Sequence, residues 1–301
     1  RIEGTQTSLA ELFANEVGIE TNQNRADLKE VENYVKALEY GIKRLKKLPL
    51  SLRLIREIHE ILMKDVRGNK LTPGEFRRSQ NWIGVAGCTL KTASYVPPPP
   101  HLIMDCLGDL EKFMHEAKLP PLVSIALIHQ QFEAIHPFLD GNGRVGRLLI
   151  VLYLIEKNIL PTPLLYISAF FEGTRSDYYD RLKAVTSHGD WLGWCEYFLN
   201  GISRQSEDAL NRIRQIQKTV ESWKMKFTGK SDKNCLVLID DVSANPFLTV
   251  LGTSKKHKIA FTTAERAINK LEKEGILKQT NDAKRNRIYC AKKILDILDS
   301  K

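Results

Sequence analysis

Long apolar runs are missing from this 301-residue chain. The longest, LLIVLYLI at 148–155, has eight residues, against the roughly 18 or more that a membrane span requires. It reads as a buried core helix, and no membrane partner is expected. Cysteine is sparse: Cys88, Cys106, Cys195, Cys235 and Cys290 are an odd, scattered set with no CxxC. That excludes a disulfide framework and reads as reduced thiols. The opening RIEGTQTSLAEL lacks the apolar core of a secretory signal, so the expected location is the cytoplasm. Internal repeats are also lacking, and low-complexity sequence is confined to four prolines at 97–100.

What is present is a globular composition, 43% hydrophobic and 27% charged, long enough for two domains. The net charge of +9 is uneven. Lys230 to Lys301 hold 15 Lys and Arg against 9 Asp and Glu, whereas the preceding residues hold 30 against 27. A basic C-terminal quarter makes nucleic acid a candidate partner there.

Helical periodicity runs through most of the chain. Leu28, Val31, Tyr34, Val35, Leu38 and Ile42 mark an amphipathic helix over 25–46, and a second follows Pro49 over 50–66, with His59 inside it as a structural histidine. Further helices are expected at 101–116, 122–135, 163–185 and 190–224. The segment 71–100 has no helical period. Its β-prone pieces, Asn81–Gly87 and Thr92–Pro97, read as an exposed hairpin closed by extended proline. By itself it is a surface loop or a strand edge able to bind another chain.

HPFLDGNGRVGR, residues 136–147, lies between two core helices. With the second helix starting near Arg144 or Val145, Gly141, Asn142 and Gly143 lead into an N-terminus whose unpaired N–H groups and positive dipole end suit a phosphate. Asn142 adds an amide donor, and Arg144 and Arg147 can reach two different phosphates. Asp140 would be repelled by them unless magnesium lay between. His136 can accept a proton near neutral pH. The set predicts a nucleotide phosphate, a metal, and a base for an incoming hydroxyl.

These twelve residues resemble the Fic domain signature HPFxDGNGRxGR without departure, and the resemblance extends over about residues 50–200. It implies a mainly α fold: a helical core with a small β-hairpin flap, here joined to a C-terminal winged helix. It implies transfer of AMP from ATP to a Ser, Thr or Tyr hydroxyl of a protein. By the resemblance His136 is the base, Asp140 binds Mg2+, and Gly141 to Gly143 form the anion hole. Asn142 would contact the α-phosphate, Arg144 the β and Arg147 the γ, with Phe138 anchoring the loop. Trp82, Ile83, Gly84, Tyr95 and Val96 become a flap that docks the target's main chain, and Tyr178 and Tyr179 fall where relatives place aromatics beside adenine.

Glu3-Gly4 matches the end of the (S/T)xxxE(G/N) motif by which Fic relatives inhibit themselves, Glu3 pairing with Arg147 in place of the γ-phosphate. The same glutamate could instead support removal of AMP. The implied organisation is 1–48 as an inhibitory helical segment, 49–225 as the catalytic core, 226–233 as a linker and 234–301 as the winged helix. In the last part, Asn234–Asp241 and Phe247–Leu251 read as helical pieces, and Thr262 or Thr263 as the cap of a helix ending at Gly275. Ile276–Thr280 and Arg287–Cys290 read as strands around a wing. Arg266, Lys270, Lys284 and Arg285 are the candidate DNA contacts. The competing reading is a DNA-binding regulator whose core senses nucleotide. The target protein, self-modification and a homodimer are left open by the residues.

Overall fold

The computed structural model describes residues 9–17, 25–66, 71–85, 87–281, 283 and 285–299. After α1 (Leu9–Glu16) the expected amphipathic helices follow as α2 (Arg25–Leu45) and α3 (Leu52–Leu62). Ser51, in extended conformation, starts α3 by accepting the Leu54 N–H at 3.4 Å. Glu57 on α3 receives Arg44 (Nε, 2.9 Å) and the Tyr40 hydroxyl (3.0 Å) from α2, and Arg53 (3.0 Å) from its own helix. These donors, Arg44 first, hold its carboxyl down at about 2.

A 3₁₀ turn at Pro100–Leu102 opens α4 (Ile103–Glu116), followed by α5 (Pro121–Ile135) and α6 (Asn142–Glu156). The last two are the most apolar helices and sit centrally: Ile125, Ile128 and Phe132 face a core shared with Val145, Leu148, Leu149 and Leu152, all fully buried. The helix expected over 163–185 is instead two, α7 (Ile167–Gly173) and α8 (Arg175–His188). Thr174 divides them. Its hydroxyl donates to Phe170 O at 2.7 Å, a local bond that competes with continued helix. Then α9 (Trp191–Lys224) runs for 34 residues.

The chain forms two compact units, one from Asn24–Glu207 and one from Asp208–Lys301 together with α1, so the division falls inside α9. The second unit continues with α10 (Lys233–Ala244), β1 (Phe247–Thr249), α11 (Val250–His257), α12 (Phe261–Lys273), β2 (Lys278–Gln279), β3 (Ile288–Cys290) and α13 (Lys292–Asp299). The sheet is antiparallel in the order β1-β3-β2, with Tyr289 opposite both Leu248 and Gln279. Leu238, Ile239, Ala264, Ile268, Leu271, Tyr289 and Ile294 form its core. Asn245 Nδ2 fastens α1 to this unit through Phe13 O (3.1 Å) and Glu16 Oε2 (3.0 Å).

Two local expectations change here. Phe247–Thr249 is a strand rather than a helical piece, because Phe247 and Thr249 pair with β3. Neither Thr262 nor Thr263 caps α12: the helix begins at Phe261 behind Ala260, with no side-chain cap. Gly275, at φ +71, does end it. Among the described residues the protein is mainly α, and no helix is long and apolar enough to cross a membrane.

Candidate active site

His136 closes α5 in a left-handed conformation, φ 49 and ψ 60. Such backbone is uncommon for a residue with a Cβ. It turns the chain sharply away from α5, and four residues later Gly141 (φ +79) turns it into α6. The glycine is required twice over, since a Cβ there would also meet Met63 Sδ at 2.8 Å. Helix α6 starts at Asn142, earlier than the sequence suggested. The backbone N–H groups of Asn142, Gly143 and Arg144 therefore lie in its first turn, without intrahelical partners.

The His136 ring sets its own tautomer. Nδ1 lies 3.3 Å from Glu133 O, and a carbonyl only accepts, so Nδ1 carries the hydrogen. Nε2 is then the lone-pair nitrogen of the neutral ring. Phe138 is fully buried and stacks on His59, ring centroids 3.7 Å apart and 8° from parallel. Asn142 braces the loop reciprocally: Oδ1 accepts from Phe138 N and Nδ2 donates to Phe138 O, both at 2.8 Å. One of the two Nδ2 hydrogens is thus committed to the loop, and Asn142 also presents its backbone N–H at the start of α6.

Asp140 remains 37% exposed, with Oδ1 accepting from Gly141 N at 2.6 Å and 3.6 Å from Arg144. One accessible carboxylate beside an anion loop is the donor set magnesium uses together with phosphate oxygens. Among the described residues no cluster of three or more acidic, His or Cys ligands exists, so a metal held by protein alone is not built here.

The two motif arginines differ. Arg144 reaches inward, to Glu30 on α2 (3.2 Å) and Met63 Sδ (3.4 Å), while staying 3.6 Å from Asp140 on the loop; it and Glu30 are nearly fully buried. An arginine buried this deeply requires a counter-charge, which Glu30 supplies. Arg147, 7% exposed, keeps its charge close enough to His129 and Tyr166 to act on both.

Tyr178, expected beside adenine, has its side chain committed to the interior. It is buried, its hydroxyl donating to His129 Nε2 at 2.9 Å and its ring packing on Phe171 and Trp194. Tyr179, 49% exposed beneath Arg175, stays accessible. The flap reduces to a single antiparallel bridge, Ile83 to Tyr95. Trp82 and Val96 are exposed there, as is Gly84, whereas Ile83 is half-buried. Tyr95 anchors its strand: its hydroxyl donates to Ala134 O on α5 at 2.8 Å. Glu3, Gly4 and Lys284 lie outside the described residues.

Three supporting residues surround the loop, of which only His59 was expected from the sequence, as a structural histidine. His59 accepts Gly74 N–H on Nδ1 (2.8 Å) and donates from Nε2 to Asp140 O (3.0 Å). Burial pushes its ring down to about 4, so it stays neutral. His129 is likewise held neutral by burial, at about 3, with Nδ1–H on Gly146 O (3.1 Å). Arg77 is 3% exposed and donates only to carbonyls, at His136, Ser79, Pro98 and Ile135.

In the C-terminal unit Arg266 and Arg285 are exposed. Lys270, also exposed, pairs with Asp232 and lies over Phe227.

Comparison with known proteins agrees with this geometry. Residues 49–154 match the Fic/DOC family, and residues 1–43 match its N-terminal family, Fic/DOC family N-terminal. Curated relatives named protein adenylyltransferase Fic include those of Drosophila virilis, 32% identical over 149 residues, and Drosophila melanogaster, 30% identical over 149 residues. Each alignment covers 48% of this chain and 27% of the relative, so the match spans about a quarter of those proteins. Among solved structures, a Fic family protein from Desulfovibrio desulfuricans G20 superposes with a TM-score of 0.61 at 20% identity, covering 96% of this chain and 82% of that one. Fic-1 from C. elegans (aa134–508) gives 0.56 at 22%, covering 70% and 60%. At these identities the likeness is one of fold.

Proposed function

Because residues 49–154 match the Fic/DOC family and residues 1–43 its N-terminal family, we propose that the chain is a protein adenylyltransferase. It transfers AMP from ATP to a hydroxyl of a protein and is restrained by Glu3. The observation that carries this reading is His136. Its Nδ1 faces Glu133 O, so in the neutral ring Nε2 is the nitrogen with the lone pair that a base requires, beside an anion loop.

In this mechanism Nε2 takes the proton of the target hydroxyl, and the oxygen attacks the α-phosphorus. The bond to the bridging oxygen breaks and diphosphate leaves. The first N–H groups of α6 and the charge of Arg147 meet the negative charge that builds on the phosphates, where fixed donors contribute most. Gly141 and Gly143 let the backbone come close, and Tyr179 supplies the accessible aromatic for adenine. Asp140 would hold Mg2+, which when bound neutralises phosphate charge. The exposed edge at Trp82 and Val96 receives the target's main chain. Glu3 engages Arg147 and removes the cation intended for the γ-phosphate; the match of residues 1–43 to the N-terminal family supports this assignment.

The test is incorporation of label from α-labelled ATP with Mg2+ into the wild-type chain, Glu3→Gly, and Glu3→Gly with His136→Ala. Strong labelling in the single variant, reduced about 10²–10⁴-fold without the base, is expected. No labelling in any of them, with ATP still bound, would move the assignment to nucleotide sensing or AMP removal.

For the second unit we propose a winged helix, supported by the order α10, β1, α11, α12, β2, β3. Its exposed Arg266 and Arg285 would face nucleic-acid phosphates. A mobility-shift titration over a salt series tests this, since phosphate contacts weaken steeply with salt.

A further inference from the structure

We propose that Arg77 is a positioning residue for the transfer reaction, holding the His136 peptide and the root of the flap with one guanidinium. The residue sits outside the signature motif and touches none of the reacting groups. The proposal rests on the transferase reading for its kinetic part alone.

The geometry is specific. Arg77 Nε donates to His136 O at 2.9 Å, and one terminal nitrogen donates to Ile135 O (3.3 Å) and to Pro98 O (2.6 Å). The other terminal nitrogen donates to Ser79 O at 3.1 Å. Its own backbone N–H holds Pro137 O at 2.8 Å. Among the described residues no carboxylate pairs with this buried cation. Its charge is instead met by carbonyls, including the last ones of α5, the negative end of that helix.

Two consequences follow from that arrangement. First, His136 is held in a left-handed conformation that a residue with a Cβ enters at a cost. Relaxing it would swing His136 O away and leave the buried Arg77 Nε–H unpaired; Asn81 Nδ2, 3.3 Å from the same oxygen, would lose that contact as well. The two donors therefore fix the peptide from which the imidazole projects. Second, Ser79 and Pro98 lie just outside the Ile83–Tyr95 bridge on either side, so Arg77 grips both strands of the flap at its root. A target seated on the flap and the base that must receive its proton are aligned by a single side chain. Lysine cannot replace this grip, because it is a point charge without the planar fork.

The experiment compares Glu3→Gly with Glu3→Gly/Arg77→Lys in steady-state transfer, and records imidazole ¹⁵N resonances of His136 in both. The exposed Arg78→Ala is the control. The expected result is a fall in kcat of about 10²-fold, as misplacement of a reacting group produces, with KM for ATP unchanged. Alongside it, the Nδ1–H tautomer of His136 gives way to a mixture, seen as convergence of the two ring nitrogen shifts. An unchanged kcat, or a rise in KM alone, would overturn the proposal. If the Glu3→Gly parent transfers nothing, the transferase reading fails by itself, and the ring resonances decide: an unaltered tautomer in Arg77→Lys refutes the positioning role. Should Arg77→Lys not fold, Asn81→Ala removes the second donor from the same carbonyl. It must then show the same signs at smaller amplitude, and their absence counts against the proposal.

Discussion

The cations of the two units are kept in opposite ways. In the unit of Asn24–Glu207, Arg77, Arg144 and Arg147 are each under a tenth exposed. Arg77 is held by backbone carbonyls and Arg144 by Glu30. In the C-terminal unit Lys256, Lys270 and Arg287 lie at or near the surface, each facing a carboxylate, Asp241, Asp232 and Glu265. Desolvating a charge is expensive, so a buried arginine persists only where its position is needed. A surface pair costs little and signals little. Net charge directs attention to the C-terminal quarter, whereas the three buried arginines lie in the nearly neutral part.

The most direct way to break this contrast is to remove one member from each side. Arg144→Ala strands Glu30 in the core and should cost about 3–5 kcal/mol, as for other half-deleted buried pairs. Lys256→Ala, whose partner Asp241 is not buried, should leave the unfolding midpoint nearly unchanged. Urea denaturation of both variants decides, and equal midpoints would erase the distinction.

Gly146→Ala should have the next largest effect. A Cβ at that position collides with Glu133 Oε1 and lies 3.2 Å from the His129 ring. Overpacking of this kind costs about 1–3 kcal/mol, whereas Gly275→Ala, which meets no atom within 4 Å, disturbs only its positive φ. Thermal unfolding of the pair separates crowding from backbone strain.

Acid should sharpen the comparison further. His59 and His129 stay neutral because burial lowers them to about 4 and about 3, against an ordinary value near 6.5. Below about pH 6.5 the unfolded chain takes up protons that the folded chain refuses. Stability is therefore complete above that value and declines as the pH falls toward 4 and then 3. Glu57 adds a loss between its ordinary carboxylate range and about 2. Among the described residues the C-terminal unit buries no histidine. Hydrogen exchange between pH 7 and 4 should show α3, α5 and α6 losing protection before α10 and α12; the reverse order would contradict the assignment. The smallest effect expected is on mobility shifts: Arg266→Ala should weaken nucleic-acid binding modestly and flatten its salt dependence by about one ion.

Much of this was legible in the sequence. Helices α2, α4, α5 and α9 lie within a few residues of where periodicity put them, because each has a continuous apolar face and a clear stop. The loop at 136–147 stood out through residue types alone. Strand β1 did not, since three residues carry no alternation and its partner lies some forty residues downstream. The roles of Arg77, Glu30 and His129 were equally hidden. Each depends on a carbonyl or charge brought near by folding, and nothing beside them in the chain marks it. Tyr178 shows the converse: a residue in a plausible place for a ligand, claimed by a buried histidine.

Helix α1 belongs with the C-terminal unit while α2 belongs with the catalytic one. The chain thus passes between units twice, once before α2 and again inside α9. The smaller unit is consequently no detachable cassette. Cutting the chain at 207 would leave Phe13 O without Asn245 and orphan a helix at the opposite end of the sequence. Grafting this unit onto another protein would mean carrying two separate pieces of chain.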